Sequence, residues 1–510
     1  MRRATRFCLP LTALLLAAGS AVAGPPVSAE DPDPLVRDLD AILAQPGLAG
    51  ADVGLVVRAA DGTVRYSRGG DRRQQPASNA KLVTSAAALE VLGPDYRFST
   101  SVETAARNAG ATLRGDLYLR GTGDPTMLAA DYDALAARVA AGGIRLVQGN
   151  LVADDTWFDT VRLGSGWAWD DEPFYYDAQV SALTAAPDSD FDAGSIIVRV
   201  SPATPGAPAR VETVPPTDQV RIVSTAVTGA PGSGSSINVD REHGGNTFTV
   251  TGSLAADAAA VQEFMAVWDP TGYAAGLFRA ALLAHGVRVL GPTTRGGTPA
   301  GTRIVAGRQS MPLRDLLIPF LKLSNNLHAE ILVKSMGRAR SGAGTWPAGI
   351  AAVASALPGL GVDPARLFLV DGSGLSRMDH IAPDQVSTLL LAARAKPWFP
   401  TWYDALPIAG IPDRLVGGTL RSRMRGTPAA GNVHAKTGSF TGASALSGYV
   451  TTPGGEPLVF SMITNNSVGI SLRPLEDAVA TRLAADRPTQ VATGVETGRS
   501  DLECSWQKSC

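Results

Sequence analysis

Three short motifs in this chain of 510 residues combine residue types that can transfer an acyl group. In Ser78-Asn79-Ala80-Lys81, a serine is followed three residues later by a lysine. On a helix this spacing places both side chains on the same face. A desolvated lysine can lose its proton and activate a neighbouring serine. Ser78 is therefore the predicted nucleophile and Lys81 the predicted base.

Lysine is rare in this chain, which makes its place in a motif more informative. Only six of the 45 Lys and Arg residues are lysines. Arginine stays protonated near neutral pH, so it cannot replace lysine as a base. A second lysine in a motif, Lys436, is a candidate for the cation that would lower the pKa of Lys81.

A second motif, Ser324-Asn325-Asn326, has the form Ser-x-Asn and opens or precedes a helical pattern. Its hydroxyl could relay a proton between Lys81 and a leaving amine. The Asn326 amide could hold both the lysine and the substrate backbone. Taken alone, such a sequence is more often a helix cap.

A third motif, Lys436-Thr437-Gly438-Ser439, is predicted to lie on an edge strand. Its ammonium and hydroxyl groups suit an anionic carboxylate, and Gly438 allows a close approach of the backbone. The Ser439 N–H could join the Ser78 N–H as an oxyanion hole. Taken alone, the motif could be an exposed strand end.

The three motifs in this order are typical of penicillin-binding proteins and class A β-lactamases. The chain resembles the larger low-molecular-mass penicillin-binding proteins, the D-alanyl-D-alanine carboxypeptidase/endopeptidase family (peptidase S13). The long gap between Ser78 and Ser324 is unlike β-lactamases, whose first two motifs are closer together. The similar stretches are SNNLHAE (324–330), DGSGLSR (371–377), AKTGSFTGASALSGY (435–449) and, in the insert domain, GTGDP (121–125).

The resemblance implies that Ser78 is acylated by the penultimate D-Ala of a peptidoglycan stem peptide and is then released by water. Penicillins would acylate the same serine and leave slowly. No cofactor and no metal are implied. The implied roles are base for Lys81, relay and orientation for Ser324 and Asn326, and binding of the terminal carboxylate for Lys436, Thr437 and Ser439.

Two positions depart mildly from the family pattern. Ser439 stands where the family often has Thr, and it keeps the hydroxyl. Asn325 stands where the family often has an acidic residue, so the local electrostatics differ.

The resemblance also implies a pocket for the side chain of the stem peptide, which ends in an amine and a carboxylate. Such a group pairs well with one acid and one arginine, here Asp170 and Arg377. The alternative is a solvated acidic loop whose aromatic side chains anchor in a core. The predicted pocket residues are Trp167, Asp170, Tyr175, Ser373, Leu375 and Arg377.

Composition and targeting signals narrow the class of protein. A formal net charge of −2 argues against a nucleic-acid partner, and the histidines show no metal spacing. Residues 1–23 read as a signal peptide: a basic start, an apolar run too short to span a bilayer, and Ala21-Val22-Ala23. No other stretch approaches a transmembrane length, so we expect a secreted, extracytoplasmic protein of the cell wall or a periplasm-like space.

The predicted fold class is α/β (α+β): an antiparallel sheet flanked by helices, as in penicillin-binding proteins and serine β-lactamases, split by a long, mostly β insertion. Cys504 and Cys510 in the tail could pair in an oxidising compartment. The predicted divisions are a catalytic domain (24–96 and 287–490), insert domain II (97–185 and 240–286), a nested insert domain III (186–239) and a flexible tail (491–510).

Two other functions are compatible with the same motifs. A β-lactamase shares the nucleophile and the base but must hydrolyse its acyl-enzyme quickly. A non-catalytic wall-binding protein on a retired enzyme fold would be expected to lose a reactive residue, and this chain keeps all of them.

Overall fold

The computed structural model describes residues 33–467 and 469–485. The predicted signal peptide (1–23), the predicted tail (491–510) and the cysteines Cys504 and Cys510 lie outside the described residues. Within that described part, no helix is both long and apolar enough to cross a bilayer.

Ten α-helices occur in the described residues. They are α1 (Pro34–Leu43), α2 (Ala80–Val91), α3 (Ala129–Ala141), α4 (Pro270–Ala284), α5 (Leu313–Lys322), α6 (Asn326–Ser341), α7 (Trp346–Ala356), α8 (Pro383–Ala393), α9 (Phe399–Asp404) and α10 (Arg473–Leu483).

The strands of the same residues form one large catalytic sheet and several smaller ones. They are β1 (Asp52–Ala59), β2 (Val64–Arg68), β3 (Ser99–Thr104), β4 (Asn108–Ala109), β5 (Thr112–Leu113), β6 (Leu117–Gly121), β7 (Leu146–Val147), β8 (Leu151–Asp154), β9 (Ser195–Ser201), β10 (Arg210–Val214), β11 (Arg221–Ser224), β12 (Val227–Gly229), β13 (Asn238–Arg241), β14 (Thr247–Thr251), β15 (Ser253–Ala255), β16 (Val261–Ala266), β17 (Arg288–Val289), β18 (Thr293–Arg295), β19 (Arg303–Gln309), β20 (Leu367–Phe368), β21 (His380–Ile381), β22 (His434–Phe440), β23 (Gly442–Thr451) and β24 (Pro457–Ser467).

The catalytic sheet has the order β2-β1-β24-β23-β22, and every neighbouring pair is antiparallel. Its strands come from both ends of the chain, which confirms the predicted sheet. The third motif lies on β22, which is an edge strand as expected.

Helices cover both faces of this sheet. Successive residues of a strand point to opposite faces, so Ala445 and Leu446 of β23 belong to different apolar cores. One core packs the sheet against α2, α5, α6, α7 and α8, and the other packs it against α1 and α10. Because both faces are covered, β23 and β24 are buried along most of their length.

Helix α2, which carries Lys81, runs through the middle of the first core. Every residue from Ala80 to Leu89 is buried. A helix that is buried all round needs small or apolar side chains on every face, and four alanines in AKLVTSAAALEV provide them. A lysine in this position is therefore unusual and must be bound by polar groups.

The insertion has an apolar core of its own, with members from Val102 to Ala306. It also holds two helices, α3 and α4, within the region predicted to be mostly β. Strand β19 pairs with β3, β18 with β8, and β17 with β7. Strands up to Gln309 therefore pair with strands of the insertion, beyond the predicted end at 286, and the domain division stays a prediction. The end predicted for the nested segment, at 239, falls inside β13, which pairs with β14.

Two helices, α5 and α6, lie on either side of the second motif. They are separated at Ser324, which has a left-handed φ of 60°. Asn325 then caps α6, because its side chain accepts a hydrogen bond from the His328 N–H. The break brings the second motif to the start of a helix, as predicted.

Candidate active site

The serine of the first motif lies in a 3₁₀ turn, Ala77–Asn79, that leads directly into α2. Ser78 and Lys81 are both buried, with 3% and 0% of their surface exposed. Lys81 Nζ lies 2.8 Å from Ser78 Oγ. The predicted nucleophile and base are therefore in direct hydrogen-bond contact.

Two further oxygen atoms surround the Lys81 amine. Asn326 Oδ1 lies 2.7 Å from Nζ, and the Ser373 carbonyl oxygen lies 2.9 Å from it. The Asn326 amide is oriented by its other end, because Nδ2 donates to the Tyr176 carbonyl at 2.8 Å. The second motif thus contacts the base through a carbonyl-type oxygen that can only accept.

Burial lowers the pKa of Lys81 to about 7, since the charged ammonium has lost its water. The nearby carboxyl groups of Asp371 and Glu330 oppose this shift. Burial also lowers the pKa of Lys436 well below its usual value, and the charge of Lys81 adds to that effect. The sequence predicted burial and a neighbouring cation, with Lys436 as the candidate, as the causes for Lys81; burial is the cause that lowers its pKa in the structure.

Glu330 fixes the loop that supplies the Ser373 carbonyl. Its carboxylate accepts hydrogen bonds from the Ser373 N–H at 2.7 Å, from the Gly372 N–H, and from Trp346 Nε1 at 2.7 Å. Burial and the charge of Asp371 raise the pKa of Glu330 to about 7. Glu330 was part of the family-like stretch SNNLHAE, yet its role depends on a contact across 43 residues that no local pattern reveals.

Asp371 organises the other half of the same loop. Its carboxylate accepts hydrogen bonds from the Gly374 and Ser376 N–H groups, both at 2.8 Å. Asp379 lies beside it, and burial together with the Asp371 charge raises the pKa of Asp379 well above its usual range. A Cβ on Gly374 would lie 1.8 Å from the Ala77 carbonyl, so only glycine lets the loop reach the nucleophile turn.

The second and third motifs meet at Ser324. Lys436 Nζ donates to Ser324 Oγ at 2.8 Å and to the Thr437 carbonyl at 2.8 Å. The second motif therefore contacts both lysines of the site, Lys436 through the Ser324 hydroxyl and Lys81 through Asn326.

Gly438 brings the edge strand close to the nucleophile. A Cβ at this position would lie 2.8 Å from the Pro76 carbonyl oxygen and 3.0 Å from the Ser78 nitrogen. The predicted close approach is thus present. It places the backbone of β22 beside the Ser78 N–H, which is the arrangement that an oxyanion hole requires.

One residue near the third motif was not predicted. The hydroxyls of Thr437 and Thr419 lie 2.8 Å apart, and Thr419 belongs to a short 3₁₀ turn, Gly418–Leu420. No motif surrounds Thr419 in the sequence, so only the fold reveals this contact.

The two segments predicted to form the side-chain pocket are in contact. Trp167 Nε1 donates to the Asp371 carboxylate at 2.8 Å, and the Arg377 N–H donates to the Gly166 carbonyl. The Arg377 guanidinium lies 3.7 Å from the centre of the Phe440 ring. Tyr175 packs edge-on against Phe264.

Three of the predicted pocket residues differ in exposure. Asp170 is exposed, whereas Ser373 and Leu375 are buried. The Ser373 hydroxyl accepts a hydrogen bond from the Leu375 N–H. Ser373 contacts Lys81 through its carbonyl oxygen. The binding of a stem side chain by these residues stays a prediction.

One group in the described residues has a spacing that could suit a metal ion, namely Asp188, Asp190 and Asp192. Asp190 forms an ion pair with Arg414, and Asp192 accepts a hydrogen bond from Asn325. These carboxylates are engaged with protein groups, and we assign no ion to them.

Comparisons with known proteins identify the family of the chain. The family model described as "D-Ala-D-Ala carboxypeptidase 3 (S13) family" matches residues 35–485. The chain is 49% identical over 488 residues to the D-alanyl-D-alanine carboxypeptidase of Actinomadura sp. (strain R39), covering 93% of this chain and 90% of the relative.

Solved structures show the same fold. Penicillin-binding protein 4 (dacB) from Haemophilus influenzae matches with a TM-score of 0.74 at 24% identity, covering 87% of this chain and 97% of that chain. Its complex with a β-lactam matches with a TM-score of 0.69 at 24% identity, covering 88% and 97%. The resemblance seen in the sequence is confirmed, and the chain is an enzyme that belongs to the D-Ala-D-Ala carboxypeptidase 3 (S13) family.

Proposed function

We propose that this protein is an exported serine D,D-carboxypeptidase and endopeptidase that acts on peptidoglycan stem peptides through an acyl-enzyme. The observation that carries the proposal is the buried Lys81 amine with Ser78 Oγ at 2.8 Å and two acceptor oxygens beside it. The Actinomadura relative is named a D-alanyl-D-alanine carboxypeptidase, which supports the substrate class. The basic and apolar pattern of residues 1–23 supports export.

The hydrogen bonds around Lys81 suit a neutral amine. A neutral amine has two N–H donors and one lone pair. The Asn326 amide oxygen and the Ser373 carbonyl can only accept, so they take the two N–H groups. The lone pair is then directed at the Ser78 hydroxyl, and Lys81 can remove its proton.

Acylation follows from this arrangement. Ser78 Oγ forms a bond to the carbonyl carbon of the penultimate D-Ala, and its proton passes to Lys81. The Ser78 and Ser439 N–H groups stabilise the resulting oxyanion. The carbon–nitrogen bond then breaks as the leaving amine receives a proton through Ser324, whose oxygen is held by Lys436.

The terminal carboxylate of the substrate would lie against the edge strand β22. The hydroxyls of Thr437 and Ser439 would donate to it, and the Lys436 amine would attract it when protonated. Gly438 keeps this binding surface close to Ser78. Water then hydrolyses the acyl-enzyme and regenerates the serine.

The same chemistry extends to two related substrates. A D,D-crosslink is also an amide that follows a D-Ala carbonyl, so its cleavage uses the same steps. A penicillin acylates Ser78 by opening its lactam, but its amine stays tethered after the ring opens.

We propose that Asp170 and Arg377 bind the charged end of the stem side chain, with Trp167, Tyr175 and Leu375 beside it.

Turnover of a stem-peptide mimic that ends in D-Ala-D-Ala tests the proposed activity. The purified wild-type protein should release D-Ala, and muropeptides should lose D-Ala or separate at crosslinks when the products are weighed. The Ser78→Ala variant should release none. Undiminished release by that variant would rule out the serine mechanism.

A further inference from the structure

The insertion holds both asparagines of the second motif. Asn326 Nδ2 donates to the Tyr176 carbonyl at 2.8 Å. Asn325 Nδ2 donates to Asp192 Oδ1 at 2.8 Å and to the Phe191 carbonyl at 3.2 Å. The acceptors all come from the insertion, whereas the two asparagines begin helix α6 of the catalytic domain.

The motif needs such support because its first residue is strained. Ser324 has a φ of 60°, a left-handed conformation that is strained for a residue other than glycine. This conformation points Ser324 Oγ at Lys436 while the next turn points Asn326 at Lys81. Strain of this kind persists only where the surroundings fix the backbone.

We name residues 188–192 the bracing loop. Besides Asn325, the loop contacts α6 through the Phe191 carbonyl, which lies 2.9 Å from His328 Nε2. It also reaches the segment before the Gly418–Leu420 turn, because Asp190 forms an ion pair with Arg414. Asn325 and Asp192 are buried, with 5% and 6% of their surface exposed.

Only an amide fits the position of Asn325. Its oxygen accepts the His328 N–H at 3.1 Å and caps α6, while its nitrogen donates to Asp192. Aspartate could cap the helix but has no proton to donate, and its charge would face that of Asp192. Serine could cap the helix but could not also reach the carboxylate with a second donor.

We propose that Asp192 of the bracing loop is a positioning residue for the reaction, which acts through Asn325 to hold Ser324 and Asn326 against the two lysines. This inference rests on the proposed acyl-enzyme function. The bracing loop, and not the insertion as a whole, then supports the residues of the second motif. Asp192 touches no reacting atom. Its effect on the rate of acylation comes from the position of Ser324 and Asn326.

An exchange of the two side chains tests the proposal. The second-order rate constant for acylation by a fluorescent penicillin is measured for wild type, Asn325→Asp, Asp192→Asn and the double variant. N325D keeps the helix cap but sets two carboxylates against each other, so acylation should fall at least tenfold. D192N keeps an acceptor oxygen, so it should lose at most about threefold. In the double variant the amide introduced at position 192 can donate to the carboxylate introduced at position 325, and acylation should recover at least tenfold relative to N325D.

Two further variants separate positioning from stability. Asn325→Ser keeps a cap but removes the amide donor, so it should lower acylation even if N325D does not fold. Asp124→Asn breaks a buried pair with Arg308 in the insertion, away from the site, and should lower the melting temperature without changing the acylation rate.

The outcomes are distinct. A double variant no faster than N325D, or an N325S variant as fast as wild type, overturns the proposal for Asp192. Rescue in the double variant supports it, and so does slow acylation by a folded N325S protein. Absence of acylation in the wild type would instead contradict the proposed function itself.

Discussion

Four of the five lysines in the described residues are almost completely buried, and they divide into two kinds. Lys81 and Lys436 contact the hydroxyls of Ser78 and Ser324. Lys322 donates to the Leu406 carbonyl, and Lys334 donates to Asp159 and to the Val161 carbonyl. Most lysines of the described residues are therefore buried. Only the two that contact a serine hydroxyl have a proposed part in the reaction.

The pH dependence of acylation follows from the pKa of Lys81, which burial lowers to about 7. Below this pH the amine is protonated and cannot accept the Ser78 proton, so the second-order acylation rate should fall about tenfold per pH unit. Above it the rate should level off. The same depressed pKa means that the unfolded chain binds more protons between about 7 and 10.5, so this group makes the free energy of unfolding rise with pH there.

Variants identify the titrating group, since burial also raises the pKa of the Glu330 carboxyl beside Lys81. Lys81→Arg keeps the charge but cannot deprotonate, and its acylation should be at least about 10²-fold slower. Glu330→Gln removes a negative neighbour of Lys81, which should lower the pKa of Lys81 further. The fall in acylation rate should therefore shift to lower pH. If the fall in acylation rate at low pH disappears in E330Q, the assignment to Lys81 is contradicted. It is also contradicted if K81R acylates as fast as wild type.

Lys334 should matter for stability and not for chemistry. Lys334→Met leaves the Asp159 carboxylate and the Val161 carbonyl without their donor, which should reduce the free energy of unfolding by about 1–3 kcal/mol. The acylation rate should stay within about threefold of wild type. The measurement is the denaturant midpoint.

Lys396→Met is the matched control for that experiment. Lys396 forms a partly exposed pair with Glu90, and such pairs contribute about 0–1 kcal/mol. Equal effects of K334M and K396M on the midpoint would argue against a structural role for Lys334.

At the scale of elements, the sequence predicted best where a pattern is local. Alternating residues and turn residues indicate the hairpin of β1 and β2 and the pair β23–β24, and alanine content indicates helix α2. The start of α6 at the second motif was predicted, but the left-handed φ of Ser324 was not, because no local pattern requires it. Helices α3 and α4 were missed because the Thr, Val, Gly and Pro content of the surrounding insertion favours strands.

The approach of β22 to the 3₁₀ turn before α2 can be tested at Gly438. In Gly438→Ala the new Cβ would meet the Pro76 carbonyl oxygen at 2.8 Å, so the strand must move away from Ser78. Displacements of about 1 Å at a reacting centre cost about 10²-fold in rate, and we expect a loss of that size in penicillin acylation.

The control for this variant is Gly454→Ala, in the turn between β23 and β24. A Cβ there has its nearest neighbour, Thr452 Oγ1, at 3.8 Å. G454A should acylate as fast as wild type. A G438A protein that does the same would show that the close approach of β22 is not needed.

For the whole molecule, the order of the three motifs predicted the fold class and the assembly of one site from distant segments. What the sequence could not provide was the set of contacts that join the insertion to the site. Tyr176 and Asp192 contact Asn326 and Asn325 across more than 130 residues of chain. Their own surroundings in the sequence carry no catalytic motif, so only the packed structure assigns them a place beside the lysines.

The most direct measurement for the whole account is the mass of the protein after incubation with a penicillin, followed by mapping of the modified peptide. The account predicts a long-lived adduct of one penicilloyl group on Ser78, and no adduct in the Ser78→Ala variant. An adduct on another residue, or one that persists in S78A, would contradict the assignment of the nucleophile. Rapid loss of the adduct from the wild type would indicate a β-lactamase instead.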